Sequence, residues 1–105
     1  MKIVFMGSST FAIPSLRILR KPEYNVRAVY SQPPRKAGRG KSYKEVPLAE
    51  FAFSQGFKVE QPQTLNDPGV VANLKSYEPE FLIVVAYGLI LSKEVLKIPK
   101  EFSVN

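Results

Sequence analysis

Five short apolar runs alternate with segments of helical spacing, and this alternation leaves few folds open to the chain. Lys2–Met6 (KIVFM), Asn25–Ser31 (NVRAVYS), Phe57–Glu60, Phe81–Val85 (FLIVV) and Phe102–Val104 read as strands. Between them, Thr10–Lys21 sets Phe11, Ile13, Leu16, Ile18 and Leu19 at roughly helical spacing, with Pro14 near its first turn. Pro47–Gln55 starts on a proline and stops at Gly56, and Asn66-Asp67-Pro68 opens a helix with Val70, Val71, Leu74 and Tyr77 on its apolar face. Ser92 caps a short helix that reaches about Lys97. Strands alternating with helices imply βαβ units, hence an α/β fold with a mostly parallel sheet and right-handed crossovers. Phe81–Val85 is apolar throughout, as expected of a central strand covered on both faces.

Composition narrows the chemistry. With 45% hydrophobic and 23% charged residues over 105 positions, the chain is expected to be globular rather than disordered. The longest apolar run, Phe81–Leu91, is about half of the roughly 18 residues that a membrane helix needs. The opening residues carry no signal-peptide pattern, so a cytoplasmic protein without membrane contact is expected. Cysteine and histidine are both absent. That excludes disulfides, thiolate nucleophiles and Cys- or His-ligated metal, and no Ser-His-Asp arrangement can be built from these residues alone. No metal is expected.

Charge is concentrated. From Tyr24 to Lys44 there are six cations (Arg27, Arg35, Lys36, Arg39, Lys41 and Lys44) and no acid, while the rest of the chain holds nine of each sign. The excess of +6 therefore lies in one stretch. A localised excess points to an anionic partner, nucleic acid or phosphate; a merely solvated basic loop is the alternative.

In parallel α/β sheets ligands bind beyond the carboxyl ends of the strands, so the loops there are the candidates. Gly7-Ser8-Ser9-Thr10 is either a phosphate-facing turn or a tight turn with a helix cap. Gln32–Val46 is read as loop; its part Gln32–Ser42 (QPPRKAGRGKS) is cationic and glycine-containing, expected to be flexible, and either binds an anion or is disordered. Ala86–Leu91 is apolar where a loop should be polar, which fits either burial under a neighbour or a flat apolar ligand pocket.

Three of these segments together resemble one known family. KIVFMGSSTFAIPSL looks like the start of the methionyl-tRNA formyltransferases, although serines stand where that family usually has Thr-Pro. SQPPRKAGRGKSYKEVPL is similar to their loop of type T-Q-P-D-R-x-A-G-R-G-K, and VVAYGLILSKEVLKIP to their V-V-A-Y-G-x-I-L-P-x-x-[VI]-L. The segments keep the family's order and spacing across all 105 residues.

The resemblance implies a Rossmann-like parallel sheet with flanking helices. Residues 1–105 would be the N-terminal part of a formyltransferase domain, with the rest of that domain and a C-terminal barrel domain absent. It implies transfer of a formyl group from 10-formyltetrahydrofolate to the amino group of methionyl initiator tRNA, in translation initiation. Tyr87, Gly88, Leu89, Ile90 and Leu91 would hold the folate donor. Arg35, Lys36, Arg39 and Lys41 would bind tRNA, Arg39 being the arginine that matches the family's loop. Asn105 matches a catalytic asparagine; the histidine two residues later and a further aspartate are not in these residues, so the fragment alone is expected to be inactive. The intact enzyme is expected to be a monomer, and the fragment to self-associate through its exposed sheet edge or to disorder its last residues. Alternatives are a formyltransferase relative acting on a sugar nucleotide or small amine, and a non-catalytic RNA- or nucleotide-binding module.

Overall fold

The computed structural model describes residues 1–37 and 42–105. Among these described residues, seven strands and four α-helices follow one another: β1 (Lys2–Gly7), α1 (Ile13–Ile18), β2 (Asn25–Tyr30), β3 (Arg35–Ala37), β4 (Ser42–Lys44), α2 (Pro47–Ser54), β5 (Val59–Glu60), α3 (Pro68–Ser76), β6 (Phe81–Val85), α4 (Lys93–Leu96) and β7 (Phe102–Val104). Five strands form one sheet in the order β5-β2-β1-β6-β7, every pair parallel. This is the expected Rossmann-like α/β sheet with flanking helices. The winding runs from β1 through β2 to β5 and then returns to the other side of β1. The reversal opens a crevice beyond the carboxyl ends of β1 and β6, where such sheets hold ligands.

Period-two alternation along β1 explains the two-sided core. Val4 and Met6 pack with Tyr30, Leu74, Leu82 and Val84 on the face covered by α3 and α4. Ile3 and Phe5 pack with Leu16, Val29, Leu48 and Ala52 on the face covered by α1 and α2. No side chain from Ile3 to Met6 is more than 1% exposed, so burial at roughly 1.5–3 kcal/mol per large side chain is concentrated on β1. β6 departs from the sequence expectation. Leu82 and Val84 are buried, but Phe81, Ile83 and Val85 are only half-buried, because α1 and α2 lie over the other half of the sheet.

Other differences have local causes. The helix expected over Thr10–Lys21 is a 3₁₀ turn at Thr10–Ala12 followed by α1, which ends at Ile18. Pro22 disfavours helical backbone at Lys21, so the chain turns out early. The third strand shrinks to Val59–Glu60. The segment expected to be loop from Gln32 to Val46 instead contains an antiparallel ribbon, Arg35–Ala37 paired with Ser42–Lys44. Elsewhere the signals work as read: Asp67 caps α3 through Gly69 N at 2.7 Å, and Ser92 caps α4. Gly56, with φ +80°, follows α2 as its stop. Among the described residues no helix is long and apolar enough to cross a membrane.

Candidate functional site

Three post-strand segments meet at the sheet reversal, tied by one serine and one glutamine. Ser8, 6% exposed, follows β1. Its N–H donates to Ala86 O at 3.0 Å, its hydroxyl donates to Tyr87 O at 2.7 Å, and the same hydroxyl accepts from Gln32 N at 3.0 Å. Its own carbonyl accepts from Leu48 N, which fixes the start of α2. Gln32, just after β2, donates from Nε2 to Tyr87 O at 3.0 Å. The carboxyl ends of β1, β2 and β6 thus share one hydrogen-bond network. Gly7 lets them approach: a Cβ there would lie 2.7 Å from Ala12 Cβ and 2.8 Å from Val85 O.

The loop after β6 takes its shape from two left-handed residues, Ala86 (φ +48°) and Gly88 (φ +93°). The alanine is held in a region that costs an ordinary residue about 1–2 kcal/mol, and strain of this kind gathers at functional loops. Tyr87 is buried at 2% exposure, and burial pushes its phenol well above the usual range, so it stays a neutral hydroxyl.

Two cavities flank this loop and share Ala86, Tyr87 and Gly88 as a common wall. One, of about 610 Å³, has Leu89, Leu91, Leu96 and Val104 as apolar walls and Ser103 and Asn105 at its polar edge. Its size and mixed lining suit a flat heterocycle with a few fixed polar groups. The other, of about 490 Å³, is bordered by Ser8, Thr10, Gln32, Arg35 and Pro47, and among the described residues Arg35 is the charged group on its lining. No cluster of three or more acidic side chains among the described residues is placed to hold a metal ion.

The sequence-derived site residues divide accordingly. Gly88, Leu89, Leu91 and Asn105 meet at the larger cavity, and Tyr87 and Gly88 line both. Ile90 does not join them: it is 86% exposed and lines neither cavity. Arg35 and Lys36 sit on β3, whereas Arg39 and Lys41 lie outside the described residues. The ribbon pairs Lys36 with Tyr43 and Arg35 with Lys44, so the first pair shares one face and the second the other. Arg35, itself exposed, donates to Gln32 Oε1, and Tyr43 is 68% exposed.

For the turn after β1, the structure favours turn and cap over a phosphate cradle. Ser8 is committed to Gln32 and Tyr87, and Ser9 Oγ accepts from Phe11 N at 3.2 Å. Sequence reasoning gives Gln32 no role of its own. The signal that could have found it is its place, a long polar side chain at the carboxyl end of a buried strand.

Residues 1–105 match the family model for formyl transferase. The chain is 51% identical over 106 residues to a methionyl-tRNA formyltransferase of Clostridium tetani, covering 100% of this chain and 34% of that protein. A methionyl-tRNA formyltransferase of Clostridium perfringens is 50% identical over the same length, with the same coverage. The chain thus spans about a third of the length of the curated relatives it matches. In fold it is similar to the crystal structure of phosphoribosylglycinamide formyltransferase from Bacillus halodurans, with a TM-score of 0.67 at 12% identity, covering 98% of this chain and 54% of that one. By its match over residues 1–105, the chain belongs to the formyl transferase family.

Proposed function

We propose that these residues are the N-terminal part of the formyltransferase domain of a methionyl-tRNA formyltransferase. The complete cytoplasmic enzyme moves the formyl group of 10-formyltetrahydrofolate to the amino group of methionyl initiator tRNA. The observation that carries this reading is that Gly88, Leu89, Leu91 and Asn105 meet at one cavity of about 610 Å³. Apolar walls beside exposed loop backbone suit the pterin of the donor, which supplies the activated formyl group. Asn105 stands at the edge of the cavity. Its amide N–H would donate to the formyl oxygen, where negative charge develops as the amine attacks the formyl carbon.

The second cavity, across Tyr87 and Gly88, supports an acceptor approaching from the side that bears Arg35. The ribbon adds Lys36 and Lys44, and its net positive charge favours a polyanionic acceptor over a small neutral amine.

The test is formyl transfer by the complete gene product, with 10-formyltetrahydrofolate as donor and methionyl initiator tRNA or a small amine as acceptor. Transfer to the tRNA is expected. Asn105→Ala should lower its rate roughly 100- to 1,000-fold, the effect of removing one oxyanion donor. Transfer to the small amine but not to the tRNA would move the assignment to a small-molecule formyltransferase.

A further inference from the structure

We propose that Gln32 is a positioning residue for the loop Tyr87–Leu91, and that it joins this loop to the basic ribbon through Arg35. The proposal rests on reading Tyr87–Leu91 as the donor-binding loop.

Gln32 is fixed at every polar atom. Its N–H donates to Ser8 Oγ at 3.0 Å, and its carbonyl accepts from Ser31 Oγ at 2.9 Å and Gln61 Nε2 at 3.2 Å. Its side-chain amide spans the gap between the two functional segments, with Nε2 donating to Tyr87 O at 3.0 Å and Oε1 accepting from the Arg35 guanidinium. The backbone of Gly88 lies directly against that amide: a Cβ on Gly88 would overlap Gln32 Nε2 and stand 3.1 Å from Cδ. The amide is therefore the surface on which the loop rests.

Arg35 also decides which way the amide faces. An arginine has only donors, so it demands Oε1; Tyr87 offers a carbonyl, so it demands Nε2. Turning the amide over would set donor against donor at Arg35 and acceptor against acceptor at Tyr87. A ribbon residue thereby fixes the orientation of the group that holds the loop, and the two substrate-binding segments are linked through one side chain.

The experiment measures affinity of the complete gene product for a non-oxidisable 10-formyl folate analogue, with no RNA present, together with the backbone amide signals of Gly88 and Leu89. Gln32→Met keeps the side-chain length but removes both amide bonds, so packing is largely retained. It is expected to weaken binding about fivefold to tenfold, the worth of one hydrogen bond in a partly buried site, and to shift both amide signals. Arg35→Ala, at a residue that does not itself line the larger cavity, is expected to weaken binding about twofold to fourfold through loss of amide orientation. In the Gln32→Met background the same substitution should have no further effect. A purely structural role would lower thermal stability without this non-additivity. Binding by Gln32→Met within twofold of the parent, or simply additive effects of the two substitutions, overturns the proposal. If the parent fails to bind the analogue, the donor-loop reading falls, and the amide signals decide the rest. Shifts at Gly88 in Arg35→Ala then uphold the link, and unmoved signals overturn it.

Discussion

Replacing Gly88 by alanine tests the architecture of the central loop in one step. Gly88 has φ +93°, where an L-residue with a Cβ is strained by about 1–2 kcal/mol. The new methyl would also overlap Gln32 Nε2, so the amide must leave Tyr87 O, and that hydrogen bond is worth about 1 kcal/mol. The expected loss is about 2–3 kcal/mol. For a domain of this size each kcal/mol moves the melting temperature by about 4–8 °C, so a fall of about 10–20 °C is expected. Thermal unfolding followed by circular dichroism, with urea denaturation as the second probe, measures it. The cycle with Gln32→Ala separates the two causes: it removes the collision but leaves the backbone strain, so Gly88→Ala should then cost about 1–2 kcal/mol, a coupling of about 1 kcal/mol. An equal cost in both backgrounds would refute the contact. A melting temperature within about 3 °C of the parent would refute the strain argument as well.

Three further outcomes follow from exposed and titrating groups. On the proposed tRNA-binding reading, Tyr43, 68% exposed opposite Lys36, is a stacking platform on a basic ribbon, and Tyr43→Ala should weaken tRNA binding by the complete gene product roughly fivefold to a hundredfold without altering its salt dependence. Lys36→Ala should instead flatten the plot of log affinity against log salt by about one unit of slope, and a change of slope in Tyr43→Ala would count against the assignment. The Tyr77 phenol is pushed up to about 12, first by burial and then by its hydrogen bond to the Glu60 carboxylate. Its folded value exceeds its unfolded one, so the stability it contributes is complete below pH 10 and declines as pH rises toward 12. Alkaline unfolding curves should be shallower over that window in Tyr77→Phe, and identical curves would show that another group controls it.

What the sequence determined by itself was the periodic part of the structure. Runs such as KIVFM and FLIVV, short, apolar, β-branched and bounded by turn signals, read as strands of a parallel sheet, so the sheet and its helices were legible, as were the caps at Asp67 and Ser92. The loops that carry the candidate site were legible as places too, because ligand crevices lie beyond the carboxyl ends of such strands. Their internal chemistry was not. Ile90 reads like Leu89 and Leu91 in sequence, yet it turns to solvent, because the left-handed residues Ala86 and Gly88 set the direction of each following side chain. The half-exposed face of β6 likewise follows from where α1 and α2 lie. The ribbon hidden in the basic segment depends on pairing between residues on either side of its turn, which leaves only a weak pattern in three-residue strands. Gln32 shows the limit most plainly. Alone it is one polar residue before two prolines; only the fold brings Ser8 and Tyr87, far away along the chain, within reach of its backbone and amide, and turns the nearby Arg35 onto its Oε1. Periodicity is local and can be read along the chain, whereas the partners of a polar side chain are settled by the tertiary structure that assembles them.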